Sequence, residues 1–322
     1  MAPKKNEKGN ARPGIRAWGI QFSATRRSIS GTEAVVCLQR FRAFVDRLSF
    51  SSHPHSALTI SLVYPRKHKG RQQTIDWHNP EAVKHLNQAI LFSHGITIYL
   101  PQNHLVPTFA SRFSYIRKIH DLVAGVSSQQ PRGVDIGTGT SAIYALLGAK
   151  LMGWRFVATD TNEESVEWAR RNVAANGLQQ QIDVRYNRTR TVFTGVIERL
   201  ETFDFSMCNP PFFEDPSQAR ANPKRASTAT DEEAVTEGGE VEFVGKMIEE
   251  SACMLGGMQV RWWTSLLGRK SSVKPLKRKL FGLPVAPRQV KVDEFTQGRI
   301  TRCFTASGLC QSIVCFRTST FF

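Results

Sequence analysis

Asn209-Pro210-Pro211-Phe212-Phe213 closes the apolar run Phe203-Asp204-Phe205-Ser206-Met207-Cys208. A buried strand cannot go on pairing through two prolines, because each lacks a backbone donor and fixes its own φ. The strand stops there, and a stiff turn presents one amide, two carbonyls and two rings at the carboxyl edge of a sheet, where open α/β folds place ligands. These groups suit a conjugated exocyclic amine, a poor nucleophile because its lone pair is delocalised into the ring. The Asn209 side-chain oxygen and the Pro210 carbonyl can each accept one N–H, so that the lone pair localises toward an electrophile as the nitrogen becomes tetrahedral. Phe212 can stack on the ring that carries the amine. No strong base is required, since the proton becomes acidic only after alkylation. The plain alternative is a strand-ending turn with a Phe pair in the core.

A second set of residues lies upstream. Gly133-Val134-Asp135-Ile136-Gly137-Thr138-Gly139-Thr140 reads as a buried strand running into a glycine turn, with a helix over Ser141–Leu151. Gly137 and Gly139 let the backbone approach a ligand without a Cβ in the way. The pattern falls short of GxGxxG, because position 142 is Ala. Asp135 on the strand suits the first loop of S-adenosylmethionine enzymes better than a pyrophosphate cradle. The next strand, Arg155–Thr159, ends in Asp160, placed to accept both ribose hydroxyls or to cap the helix Glu163–Ala174. A third strand over Ile182–Arg185 leads to a loop with Thr189-Arg190-Thr191, and Phe203–Cys208 is the fourth. These strand-loop-helix units predict an α/β, doubly wound, Rossmann-like sheet with one cofactor pocket.

The segments that position these units are also legible. Asn79 and Pro80 open a helix to about Ser93, and Gly95 ends it. Ile96–Leu100 reads as a short strand, and Phe109–Val123 as a helix carrying Arg112 and Tyr115. Thr74–Trp77 is strand-like. Residues 1 to about 14 are polar, with Pro and Gly and no hydrophobic period. The stretch to about Gly70 is rich in Arg and Ser, with one amphipathic helix over Glu33–Leu48. That composition suits a mitochondrial presequence or a nucleic-acid arm, and Lys4-Lys5 is too short a run for a nuclear signal.

The 322-residue chain has a formal charge of +16 and a pI near 9.9, which points to a polyanion, nucleic acid ahead of a membrane surface. No apolar run approaches the ~20 residues of a membrane span. The six cysteines form no CxxC pair and have no nearby His, and read as reduced thiols with no metal site.

Asp135-x-Gly-x-Gly, Asp160 and Asn209-Pro-Pro-Phe, in this order, resemble the class I amino-methyltransferases. With Asp76-Trp77-x-Asn79-Pro80-Glu81-Ala82-Val83, Glu237-Gly238-Gly239-Glu240 and Phe295-Thr296-Gln297-Gly298-Arg299, the resemblance narrows. From about Gln73 to Arg302 the chain is similar to the adenine-N6 RNA methyltransferase family acting on U6 small nuclear RNA, with a bacterial branch acting on large-subunit ribosomal RNA. That resemblance implies a class I methyltransferase domain over 71–310 with an α/β N-terminal addition; outside it the chain reads as a basic, partly disordered extension over 1–70 without a clear family match and a divergent tail over 311–322. It implies S-adenosyl-L-methionine as cofactor, a structured RNA with an accessible adenine as partner, and a nuclear or cytoplasmic site of action.

By position, Asn209 matches the family's catalytic Asn, with Pro210, Phe212 and Phe213 around it. Arg112 matches the arginine for the methionine carboxylate, Gly137 the loop glycine, Asp160 the ribose acid and Thr191 a cofactor-contacting Thr. Asp135 and Gly139 complete the cofactor set. Arg190, Lys224, Arg225, Arg269 and Lys270 fall in basic segments that would grip RNA. Residues 1–70 show no match to the family's N-terminal segment, and past Arg302 the chain departs from the ending that usually forms the last strand of the sheet. The alternatives are a protein glutamine or DNA adenine methyltransferase, and an inactive RNA-binding protein. The glutamine enzymes typically carry Tyr where this chain has Phe212.

Overall fold

In a computed structural model of the chain, the residues described are 79–101, 104, 106–124, 130–189, 191–198, 200–217, 234–253, 259–284, 287, 289–297, 300–308 and 315–316. The expected helix Glu33–Leu48, the expected strand Thr74–Trp77 and residues Arg190, Lys224 and Arg225 lie outside them.

Strands rich in Val, Ile, Phe and Trp alternate with helices, and each helix has one apolar face to bury. The elements in order are α1 (Pro80–Ser93), α2 (Phe109–Val123), β1 (Arg132–Ile136), α3 (Ile143–Met152), β2 (Arg155–Asp160), α4 (Glu163–Ala175), β3 (Ile182–Tyr186) and β4 (Thr202–Cys208). They continue as α5 (Gly239–Cys253), β5 (Gln259–Leu267), α6 (Val273–Phe281), β6 (Gln289–Gln297), β7 (Ile300–Gly308) and β8 (Cys315–Phe316). The sheet runs β3-β2-β1-β4-β5-β7-β6, with β8 beside β7. The first five strands in that order are parallel, and β7 lies antiparallel between β5 and β6. The doubly wound sheet is as expected. Because β1 is flanked by β2 and β4, the chain reverses its winding there and opens a crevice at the carboxyl ends.

One apolar cluster covers one face with α1 to α4, around Tyr115, Leu146, Trp154 and Phe205. The other covers the opposite face with α5 and α6, around Phe193, Met247, Trp263, Leu276 and Leu280.

Four expectations are corrected. Ile96–Leu100 forms no strand. Its polar groups are taken by side chains at the carboxyl end of α4: Asn176, the C-cap, accepts from the Thr97 N–H (2.9 Å) and donates to the Thr97 carbonyl (2.7 Å). Asn172, one turn earlier, does the same for Tyr99 (2.7 and 2.9 Å). Two amides four residues apart on a helix thus match two peptide groups two residues apart in an extended chain. The second correction concerns α3, which starts at Ile143 rather than Ser141. Ala142 is left-handed (φ +48°), a conformation unfavourable for a residue with a Cβ, and it adds a turn before the helix.

Third, the cap of α4 is Asn162, which accepts from the Ser165 N–H, and not Asp160. Fourth, the last strand is present despite the unfamiliar residues past Arg302. β7 pairs with β6 from Gln297↔Ile300 to Gln289↔Gly308 and with β5 from Leu267↔Cys303 to Trp263↔Ser307. Residues such as Ile300, Thr301, Phe304 and Thr305 suit a strand, and partners on both sides satisfy its backbone.

Candidate active site

The register sets the site. Ile136 pairs with Thr159 on one side and Cys208 on the other, so Gly137, Asp160 and Asn209 leave three adjacent parallel strands at nearly the same level. They border a cavity of about 220 Å³. Of the expected residues, Arg112, Gly137, Gly139, Asp160, Thr191 and Asn209 line it. Asp135, Pro210, Phe212 and Phe213 do not. Arg269 and Lys270 are exposed on the turn after β5.

Gly137 and Gly139 hold φ of +66° and +63°, and a Cβ added to either would meet nothing within 4 Å. Only glycine takes this geometry without strain, and the space before the loop is open to a ligand. Asp160 buckles the loop: one carboxylate oxygen accepts from the Gly139 N–H (2.8 Å) and the other from the Asn162 N–H (3.0 Å). Each oxygen keeps lone-pair capacity for a hydroxyl.

Asp135 is fully buried behind the loop and accepts from the Thr138 hydroxyl at 2.7 Å. Burial pushes its carboxyl up to about 7; the Thr138 bond opposes this and the nearby Asp160 charge adds to it. It was expected in the cofactor set; the structure places it off the cavity lining, where it supports the glycine turn through Thr138.

On the wall formed by α2, Arg112 is buried with its guanidinium carbon 5.7 Å from the Tyr144 ring centroid. Its Nε has no hydrogen-bond partner among the described residues. A buried cation with spare donors is a ready site for a carboxylate. Thr191 belongs to a tight loop after β3. Its hydroxyl bonds Thr189 Oγ1 (2.7 Å) and the Thr194 carbonyl (2.5 Å), and its own carbonyl accepts from Asn187. Glu250 of α5 clamps the same loop through the N–H groups of Val192 (2.7 Å) and Phe193 (2.8 Å).

Asn209 Oδ1 is a buried oxygen with no hydrogen-bond partner among the described residues. An unsatisfied buried carbonyl costs about 1–3 kcal/mol, which makes it a strong acceptor for an arriving N–H. The strand end that carries it is held by side chains, one from β5 and one from α2. Backbone pairing of β4 with β5 runs from Thr202 to Phe205; past that, the Thr264 hydroxyl donates to the Ser206 carbonyl (2.6 Å) and Tyr115 Oη accepts from the Cys208 N–H (3.2 Å).

Phe212 and Phe213 sit beyond the cavity rim. The Gly268 backbone lies against Phe212, so that a Cβ there would stand 2.7 Å from Phe212 Cδ1. Gly268 is fixed by Glu240, which accepts from the N–H groups of Gly268 and Arg269 (2.9 Å for Arg269) and from the Ser272 hydroxyl (2.5 Å). Phe213 is anchored through its backbone to Ala234 (3.1 Å) and Thr236 (2.9 Å), which closes the base of the long insertion.

His104, Asn187 and Phe243 also line the cavity and were not anticipated. Phe243 follows Gly238-Gly239-Glu240, a stretch that stood out in the sequence only through the family resemblance.

Residues 61–310 match the family described as RNA methyltransferase. The chain belongs to this family. Relatives within it include the RNA N6-adenosine-methyltransferase mettl16 of Danio rerio, 36% identical over 273 residues, 80% of this chain and 57% of that protein. The U6 small nuclear RNA adenine-N6-methyltransferase of Caenorhabditis briggsae is 34% identical over 296 residues, 81% of this chain and 60% of its own length. The ribosomal RNA large subunit methyltransferase F of Klebsiella pneumoniae is 36% identical over 256 residues, 73% of this chain and 83% of the relative. The chain thus spans a little over half the length of the first two.

Among solved structures, the human Mettl16 catalytic domain in complex with the MAT2A 3'UTR hairpin 1 superposes with a TM-score of 0.70. It is 34% identical, and the match covers 80% of this chain and 90% of that one. The N-terminal domain of human METTL16 in complex with SAH matches with a TM-score of 0.64 and 33% identity, over 79% and 91% of the two chains. The fold of this RNA methyltransferase family member is therefore that of the class I methyltransferases.

Proposed function

We propose that the protein is an S-adenosylmethionine-dependent RNA methyltransferase that forms N6-methyladenosine on an unpaired or flipped adenine of a structured RNA. The observation that carries this reading is Asn209 Oδ1, a buried acceptor without a partner among the described residues, on the same cavity as the glycine turn and Asp160. The residues fit the cofactor: an open glycine cradle, a carboxylate at the tip of β2 for ribose hydroxyls, and a buried Arg112 with a spare donor for the amino-acid carboxylate.

When bound, the cofactor supplies an electrophilic methyl group. The protein's part is alignment and charge. Asn209 accepts one N–H of the adenine amine, orients its lone pair and stabilises the developing positive charge. Pro210 supplies the second acceptor. Phe212, backed by Gly268, offers a ring face to a base removed from its stack. Support for RNA as substrate comes from the formal charge of +16, the family, and relatives named for U6 RNA and ribosomal RNA.

The test is transfer from labelled S-adenosylmethionine to total cellular RNA, with nucleoside analysis and cofactor calorimetry, for wild type and Asn209→Ala. The wild type should place label in N6-methyladenosine. The variant should lose transfer by at least about 100-fold while still binding cofactor. Near-normal turnover in Asn209→Ala would sink this mechanism.

A further inference from the structure

Residues 259–292 carry nine Lys and Arg and no Asp or Glu. Within this stretch α6 buries Leu276 and Leu280 and turns Lys274 and Arg278 to solvent, with Lys277 half-buried between them. None of these three has an ion pair among the described residues, whereas the neighbouring Lys279 is joined to Glu249 at 2.7 Å. Cations at i, i+3 and i+4 on one helix repel each other unless an anion lies across them.

The helix is tied to the candidate site. Glu240 holds Gly268, Arg269 and Ser272 in place, Gly268 backs Phe212, and α6 leads away from that point immediately after Lys270–Ser272. Since β5 ends at the ligand edge of the sheet and β6 starts again at the opposite edge, α6 runs down the flank of the domain. At 1.5 Å per residue, Lys270 to Arg278 spans roughly 12 Å.

We propose that Lys274, Lys277 and Arg278 form a phosphate-binding ridge for the base-paired RNA stem next to the target adenine, continuing the track begun by Arg269 and Lys270. This rests on the RNA methyltransferase reading above. The ridge grips backbone rather than bases, because it offers point charges and no planar hydrogen-bonding pattern to a groove. Its contribution is affinity and direction of approach, not chemistry.

The test measures binding of a stem-loop RNA with one unpaired adenine in its loop to the full chain across a salt series. The triple variant Lys274→Gln, Lys277→Gln, Arg278→Gln should bind at least about 10-fold more weakly near 0.1 M salt. The slope of log K against log salt should become shallower by about 2 to 3, at roughly 0.9 per duplex phosphate contact. Cofactor affinity and turnover at saturating RNA should stay within about twofold of wild type, and Lys279→Gln, whose cation is already paired, should change the slope little.

Should the triple variant lose cofactor binding through misfolding, the single variants Lys274→Gln and Arg278→Gln carry the test, each expected to cost about 0.9 in slope. Unchanged affinity and slope in well-folded variants, with a wild type that binds the stem-loop, would overturn the ridge alone. A wild type that binds no RNA would overturn the RNA reading itself.

Discussion

Tyr115 donates its phenolic hydrogen to Thr264 Oγ1 at 2.7 Å, because the Thr264 hydrogen is already directed at the Ser206 carbonyl. The pair bridges β4 to β5 at Ser206 and reaches Cys208, the residue before Asn209, with Tyr115 coming across from α2. Burial keeps the Tyr115 hydroxyl neutral by pushing its pKa well above the ordinary value. Tyr115→Phe removes both the acceptor of the Cys208 N–H and the donor to Thr264. A loss of about 1–3 kcal/mol in a denaturant titration is expected, from buried groups left unpaired. Turnover at saturating RNA should fall about 10-fold or more with cofactor affinity nearly kept; an equal loss in both would mark Tyr115 as structural only.

Gly268→Ala tests the support behind Phe212. Its Cβ would come within 2.7 Å of Phe212 Cδ1 and 3.0 Å of a Glu240 oxygen, so the ring must shift. Overpacking of this kind costs about 1–3 kcal/mol. RNA methylation should drop while cofactor binding measured by calorimetry stays near wild type, since neither Gly268 nor Phe212 lines the cavity. Full RNA activity in the variant would show that Phe212 has no stacking role.

Asp135 gives a pH signature. Its carboxyl is raised from 3.8 to about 7 in the folded protein, so between those values the folded state holds a proton that the unfolded chain has released. Stability from this group is full below pH 3.8 and is lost as pH rises through about 7. Asp135→Asn keeps an acceptor for Thr138 and removes the titration. The variant should gain stability relative to wild type as pH goes from 4 to 8, read as the difference in denaturant midpoints. A difference that stays flat with pH would contradict the protonated carboxyl.

Glu201 works in the opposite sense. Burial raises its pKa, but bonds from Arg185 (2.7 and 3.0 Å), the Glu198 N–H and Arg132 (2.5 Å) prevail and hold it down near 2. Its stabilisation is present above pH 4.5 and lost as pH falls toward 2. Glu201→Gln should therefore destabilise at pH 7, and the difference from wild type should shrink steadily as pH falls from 4.5 toward 2. An unchanged difference across that range would rule out the ion-pair contribution.

The carboxyl-edge residues were legible because strand endings are written locally: glycines after β1, an acid after β2 and two prolines after β4. Their convergence followed from the parallel order those endings imply. What the chain did not reveal were contacts between distant segments. Nothing near Tyr115 in sequence announces Thr264, Glu250 carries no local signal, and the motif around Glu240 does not say that it clamps Gly268 and Ser272. Ile96–Leu100 looked like a strand because apolar alternation marks an extended chain without saying what will satisfy its backbone. The helix expected from Ser141 begins only at Ile143, since a left-handed alanine at position 142 is held by its surroundings and not by its own preference.

The amide that stands in for a strand has a second attachment. Besides holding Tyr99, Asn172 Nδ2 donates to the Thr140 carbonyl at 2.9 Å, at the end of the glycine turn. One planar group therefore fastens the segment before the sheet and the turn that cradles the ligand. Because both carbonyls share this one donor nitrogen, a displacement of either bears on the bond to the other. Anything that grips the chain ahead of residue 100 thus has a mechanical lever on the floor of the cavity, at a distance from the chemistry itself.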